Sequence, residues 1–172
     1  MEEYNIYAEA IEKNEEIIVP DTHYSDLTPI EPPEEEESPS VEFIRSSKLN
    51  EMSYACRKAI EAGIDLNIRG EIRHFSLTTQ DQLNLMSLNA MAQTETGIPY
   101  HADGETCVFY TAEELQQIIA AMNSHKNYHT IYYNSLRNYI NSLETIEEIA
   151  AITYGTSIPS EYKSEALKVI EQ

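Results

Sequence analysis

One helical seam constrains this chain more than any other feature of its sequence. From Leu115 to Leu143, positions that favour burial recur with gaps that alternate between three and four residues. They are Leu115, Ile118, Met122, His125, His129, Tyr132, Leu136, Tyr139 and Leu143. This spacing keeps the side chains on one face of an α-helix, and such a face is buried against another part of the protein. The pattern predicts one helix from Thr111 to Leu143, about 50 Å long at about 1.5 Å per residue.

A helix and a hairpin are predicted ahead of this seam. The helix begins near Ser46 and ends at Gly63, because glycine is typical of the position just after a helix. Its apolar face comprises Leu49, Met52, Cys56, Ala59 and Ile60. Alternating apolar residues then surround Arg69-Gly70, which predicts a first β-hairpin with arms at 64–68 and 72–77.

The pair Asp103-Gly104 predicts a second hairpin, because Asp-Gly is a strong signal for a tight two-residue loop. Such a loop would place one set of residues on a single face: Ile98, Tyr100, Ala102, Glu105, Cys107 and Phe109. Three capping boxes open helices, and they are formed by Thr78 with Asp81, Thr111 with Glu114, and Thr145 with Glu148. The helix after Thr145 is short and ends at Gly155, and a last helix contains Tyr162 and Leu167.

The predicted fold class is therefore α+β and mainly helical. Two short β-hairpins alternate with helices, one helix is long, and an extended acidic segment comes first. Residues 1–20 form an N-terminal attachment segment and residues 21–45 a linker rich in proline and glutamate. Residues 46–172 form the compact domain.

Charge and composition exclude several classes of partner. Residues 1–45 carry fourteen acidic and two basic side chains, and the whole chain has a formal net charge of −19. A chain so acidic lacks the basic clusters that nucleic acids and anionic membranes require. No apolar run approaches the roughly 18 residues that cross a bilayer, and the first residues lack the features of a secretion signal. We expect a protein that is made and kept in the cytoplasm, with no membrane insertion.

The candidate chemical groups have structural explanations. His125 and His129 stand four residues apart, a spacing that suits a shared metal ion, with His101, Asp103, Glu105 or Cys107 as possible further ligands. Both histidines occupy seam positions, so we predict packing residues and neither a metal nor a cofactor. His101 and Cys107 would point apart on a tight hairpin, which disfavours a catalytic dyad. Cys56 and Cys107 both fall on predicted apolar faces and are expected to be buried thiols.

Aromatic and apolar residues suggest contacts with other proteins. Helical spacing divides Tyr128, Tyr132, Tyr133 and Tyr139 between faces, which favours packing over a platform that binds sugar rings. Residues 1–20 are too short to bury themselves, so their apolar side chains are predicted to bind a partner. These candidates are Tyr4, Ile6, Tyr7, Ile17, Ile18 and Val19. The oligomeric state stays open between a monomeric domain and a trimer formed through the seam.

The order of short motifs resembles an uncharacterised C-terminal domain of tail-associated proteins from phages and prophages of Gram-positive bacteria. The resemblance covers roughly residues 48–168. It is carried by Gly63-Ile64-Asp65-Leu66, His74-Phe75-Ser76-Leu77, Asp81-Gln82-Leu83-Asn84-Leu85, Tyr100-His101-Ala102-Asp103-Gly104-Glu105, Tyr110-Thr111-Ala112-Glu113-Glu114, Tyr128-His129-Thr130, Asn134-Ser135-Leu136-Arg137, Thr145-Ile146-Glu147-Glu148 and Ile158-Pro159-Ser160-Glu161-Tyr162.

The resemblance implies a non-enzymatic structural component of a tail, in the baseplate or tail-fibre region. Its implied partners are other tail, baseplate or fibre proteins, and its implied location is the virion tail after assembly in the host cytoplasm. Two alternatives stay open. One is a tail-fibre assembly chaperone that is not retained in the particle, and the other is a metal-dependent or cell-wall-acting enzyme.

Overall fold

The computed structural model describes residues 38–91 and 97–172, which belong to one compact unit, Ser38–Gln172. The order of elements confirms the mainly helical α+β class within these residues. The five helices described are α1 (Val41–Glu61), α2 (Thr79–Met91), α3 (Ala112–Ser142), α4 (Ile146–Ala151) and α5 (Glu165–Ile170). Two antiparallel hairpins contain β1 (Ile64–Ile68) with β2 (Glu71–Phe75), and β3 (Ile98–Tyr100) with β4 (Val108–Tyr110).

Helix α1 begins at Val41, inside the stretch predicted to be a linker and ahead of the predicted start near Ser46. Ser40 caps this helix by accepting a hydrogen bond from the Phe43 backbone N–H at 3.2 Å. The start of α1 is bonded to the end of the long helix α3, because Arg45 Nη1 donates to the carbonyl oxygens of Ile140 and Leu143, each at 2.7 Å. Those carbonyls lie at the C-terminal end of α3, where a positive charge is favourable.

The first hairpin follows the prediction closely. Ile64 pairs with Phe75 and Ile68 with Glu71, so Arg69 and Gly70 form a two-residue loop. Both loop residues have positive φ angles, 57° and 84°, as a type I′ turn requires. The turn thus matches the right-handed twist of the two strands.

The predicted register of the second hairpin is wrong by one residue. Tyr100 pairs with Val108, and residues 101–107 connect the strands in place of a two-residue loop. Asp103-Gly104 does form a turn, in which the Glu105 N–H donates to the Ala102 carbonyl at 3.1 Å. The shift exchanges the faces of β4, because side chains alternate along a strand. Tyr110 is therefore buried, whereas Phe109 is 68 % exposed.

Contacts with the first hairpin explain this register. The Asp103 backbone N–H donates to the His74 carbonyl at 2.9 Å, and the Asp103 carboxylate accepts from the Ser76 N–H at 3.1 Å. Glu105 also forms an ion pair with Arg73. These long-range bonds hold the loop against β2, and a local turn signal carries no information about them. Cys107, predicted to be a buried thiol, is exposed for the same reason.

Helix α3 is the central element of the domain and confirms the predicted seam. It spans 31 residues, with Thr111 as N-cap in a complete capping box and Leu143 as C-cap. Its N-terminal half contributes Leu115, Ile118, Ile119 and Met122 to a first hydrophobic cluster that includes both hairpins and α2. Its C-terminal half contributes Tyr132, Leu136 and Ile140 to a second cluster with α1, α4 and α5.

The C-terminal helices close the second cluster. Thr145 and Glu148 form the predicted capping box of α4, which ends at Ala151, before Gly155. Helix α5 starts after Ser164, later than predicted, and is fixed by Ser135 of α3, whose hydroxyl accepts the Ser164 N–H at 3.1 Å. No helix in the described residues is both long and apolar enough to span a bilayer. The attachment segment 1–20 and most of the predicted linker lie outside the described residues.

Candidate functional site

The two seam histidines contact protein groups. His125 Nε2 lies 2.9 Å from the Ala59 carbonyl oxygen, to which it donates, and this bond joins α3 to the end of α1. His129 Nδ1 lies 3.0 Å from the Tyr154 hydroxyl. The two rings meet edge to face, with centroids 4.6 Å apart. In residues 38–91 and 97–172, no group of three His, Cys, Asp or Glu side chains is arranged to hold a metal ion.

Burial holds the pKa of His129 below its ordinary value, since the imidazolium form is poorly solvated there, and the neighbouring His125 lowers it further. His129 is therefore neutral at pH 7. A neutral ring donates or accepts at each nitrogen according to its tautomer, and here one nitrogen is engaged by Tyr154. The seam histidines thus serve as polar contacts between helices.

The other candidate metal ligands lie on the second hairpin, where Asp103 and Glu105 contact the first hairpin. His101 Nδ1 lies 3.1 Å from the Ala102 carbonyl, and Asp103 accepts from Ser76. Asp103 also lies 3.9 Å from Nε2 of His74, whose Nδ1 is 2.7 Å from Asp65. The Asp65 hydrogen bond is the main cause that raises the pKa of His74 above its ordinary value. This cluster joins the two hairpins.

An aromatic cleft is the feature that sequence reasoning missed. We use this name for the concave surface lined by Tyr128, His129, Tyr132, Tyr154, Lys163 and Glu171, with a volume of about 320 Å³. Tyr128 and Tyr132 lie one helical turn apart on α3, and their rings stack with centroids 6.4 Å apart. Tyr154, from the loop after α4, stands almost perpendicular to Tyr132 with centroids 5.2 Å apart. The rings of Tyr128 and Tyr132 thus lie nearly parallel, and the ring of Tyr154 is almost perpendicular to that of Tyr132.

Hydrogen bonds fix the rings of the aromatic cleft. The Tyr132 hydroxyl donates to the Thr156 carbonyl at 2.8 Å and accepts from the Gly155 N–H at 2.9 Å. The Tyr154 hydroxyl bonds His129, and burial raises its pKa, so both phenols stay neutral. At the rim, Lys163 Nζ lies 2.6 Å from Glu171 Oε2. The cleft therefore combines aromatic faces with one cation and one carboxylate.

The remaining tyrosines of α3 face elsewhere, as predicted from their spacing. The Tyr133 hydroxyl donates to the Leu49 carbonyl at 3.3 Å, on the side of α1. Tyr139 packs against Tyr162, with ring centroids 5.2 Å apart. A separate groove of about 270 Å³ between α2 and α3 is bordered by Leu83 and Met86, which are 56 % and 74 % exposed.

The fold and these contacts define a class of protein: a mainly helical α+β domain whose candidate chemical groups form internal bonds. A family model described as "Domain of unknown function (DUF4376)" matches residues 44–154. Because this match covers more than half of the chain, the chain belongs to that family. No curated protein and no solved structure matches the chain.

Proposed function

We propose that this chain is a non-enzymatic structural component of a phage or phage-like tail, in the baseplate or tail-fibre region. It docks through residues 1–20 and presents its compact domain as a packing module within the particle. The apolar side chains proposed to bind the neighbouring tail protein are Tyr4, Ile6, Tyr7, Ile17, Ile18 and Val19. The acidic linker sets the reach between the anchor and the domain.

The observation that carries the proposal is the use of polar side chains within the domain. His125 bonds a carbonyl of α1, and Glu114 and Glu148 complete capping boxes. Arg45 and Lys48 bind the carbonyls of Ile140 and Ile152. Groups that carry out catalysis are held in reach of a substrate, whereas these groups hold helices and turns together. Such internal contacts are what a rigid packing module requires.

The tail location rests on the motif resemblance. The region matched by the family model, 44–154, lies almost wholly within the region that the motif resemblance covers, 48–168. That overlap supports the assignment of these residues to one uncharacterised domain, and the tail setting is carried over from the resemblance alone. The proposal therefore needs a test in particles.

The test measures incorporation into particles. Particles are purified from a strain that carries the gene, and the chain is quantified by mass spectrometry against a known tail protein. We expect wild type at fixed stoichiometry and loss of the variant Tyr4→Ser/Ile6→Ser/Tyr7→Ser, which removes apolar anchors. A control variant, Glu35→Gln/Glu36→Gln, keeps the anchors and is expected to be incorporated.

Two outcomes would overturn the proposal. Wild-type protein that is abundant in the lysate but absent from particles would favour the assembly chaperone. A metal bound at fixed stoichiometry to wild type, and lost from the His125→Ala/His129→Ala variant, would favour the enzyme. We expect particles to contain the chain. We also expect the wild type and the His125→Ala/His129→Ala variant to have the same metal content.

A further inference from the structure

We propose that the aromatic cleft binds a neutral saccharide, with the sugar ring against the exposed face of Tyr128 and its hydroxyl groups at Lys163 and Glu171. The proposal rests on the geometry of the cleft and is independent of the tail location. The site lies on the face of α3 and is completed by the loop after α4 and by the residues that flank α5.

The aromatic walls suit a ring that carries C–H groups on its faces. Tyr128 and Tyr132 stack with an interplanar angle of 20°, and Tyr154 meets Tyr132 at 77°. Aromatic faces carry partial negative charge, so they attract the weakly positive C–H groups of a pyranose. Tyr128 is 37 % exposed and offers the accessible face of the aromatic cleft.

The rings are held in place before any ligand arrives. The bonds of Tyr132 to Gly155 and Thr156, and of Tyr154 to His129, restrict both side chains. A pre-organised site loses less conformational entropy on binding, which matters most for weakly binding ligands such as sugars. Because those phenol groups are already bonded, the rings contribute their faces and the rim contributes the hydrogen bonds.

The rim provides the donors and acceptors that hydroxyl groups need. An ammonium group has three donors and a carboxylate about four acceptor positions, and the Lys163–Glu171 bond uses one of each. The side chains are 24 % and 32 % exposed, so both are accessible to a ligand at the cleft. Each sugar hydroxyl both donates and accepts, and this pair offers both functions side by side.

Charge and size select the class of saccharide. One cation and one carboxylate leave the rim without net charge. The chain as a whole carries a net charge of −19, and this negative charge disfavours phosphorylated or acidic sugars. The volume of about 320 Å³ lies at the small end for ligand sites, as for one or two sugar units.

The test is to add sugar stepwise to the full chain, labelled with ¹³C-tyrosine, and to record an NMR spectrum at each sugar concentration. The probes are maltotriose, cellobiose and N,N′-diacetylchitobiose, three neutral sugars of different linkage and substitution. We expect at least one to shift the ring signals of Tyr128, Tyr132 and Tyr154 with a millimolar dissociation constant, while the signal of Tyr54, which lies on α1, stays unchanged.

Matched variants separate the site from a general surface effect. Tyr128→Ala removes an accessible wall and is expected to weaken binding about tenfold, whereas Tyr54→Ala removes a tyrosine that is 54 % exposed on α1 and leaves binding unchanged. Lys163→Gln tests the rim in a protein with all its rings intact, and it is expected to weaken binding several-fold. The proposal is wrong if none of the three sugars shifts these tyrosine signals, or if Tyr54→Ala weakens binding as much as Tyr128→Ala.

Discussion

Replacing Gly63 by alanine tests how tightly the first helix and the first hairpin are joined. Gly63 follows α1 and has φ of +73°, a conformation that costs a residue with a side chain about 1–2 kcal/mol. A Cβ atom here would overlap the carbonyl oxygen of Phe75 and lie 2.6 Å from Cα of Ser76. The approach is close because the Leu77 N–H donates to the Glu61 carbonyl at 3.2 Å, which holds the end of β2 against the end of α1.

Gly104 is the matched control, since its φ is also +73° but a Cβ atom there meets nothing within 4 Å. Gly104→Ala therefore introduces backbone strain without a steric clash. The alanine also lowers the conformational entropy of the unfolded chain, which offsets part of the strain energy. We expect a loss of about 1 kcal/mol for Gly104→Ala. Gly63→Ala adds the displacement of backbone in a packed region, typically about 1–3 kcal/mol, so we expect a total loss of about 2–4 kcal/mol.

Urea denaturation followed by far-UV circular dichroism measures both variants against wild type, with the free energy of unfolding obtained by linear extrapolation. Similar m-values in the three proteins would show that the same folded unit is being compared. Equal losses for Gly63→Ala and Gly104→Ala would refute the reasoning, because the backbone of β2 would then be far from position 63.

Three further predictions use the same measurement. Leu136→Ala empties a fully buried position and should cost about 2–5 kcal/mol, whereas Ile72→Ala, at a side chain 69 % exposed, should change stability by less than about 0.5 kcal/mol. The Arg69 hydrogen bond lowers the pKa of Glu114 from 4.5 to about 2, so the advantage of wild type over Glu114→Gln should be present above pH 4.5 and vanish as the pH falls through about 2. The pKa of His74 is raised above 6.5. The stability advantage of wild type over His74→Gln should therefore be full below pH 6.5 and disappear as the pH rises through the raised pKa. A stability advantage that grows with pH would contradict this.

Local patterns predicted the parts of the fold that depend on local interactions. The seam of α3 and the boxes at Thr111 and Thr145 involve residues three or four apart, so the sequence contains all the partners. The turn at Arg69-Gly70 depends on two residues whose φ angles are both positive. Each of these elements appears where the pattern predicted it.

Long-range contacts decided the parts that the patterns missed. The register of the second hairpin follows from the bonds of Asp103 to His74 and Ser76, almost thirty positions earlier in the chain. Helix α1 starts early because Arg45 binds carbonyls at the end of α3. The aromatic cleft was missed since Tyr154 lies in a loop without periodicity, and only folding brings it to Tyr128 and Tyr132.

The histidine pair lies where α3 passes between its two hydrophobic clusters. Met122 belongs to the first cluster and Tyr132 to the second, so the helix between them has no fully buried apolar side chain of its own. His125 and His129 fill this interval with bonds to α1 and to Tyr154. Polar groups in such a position fix one relative arrangement of the helices, because their hydrogen bonds are directional whereas apolar contacts tolerate sliding. The His129 bond also orients Tyr154 in the aromatic cleft, so the junction between the two clusters also shapes that cleft.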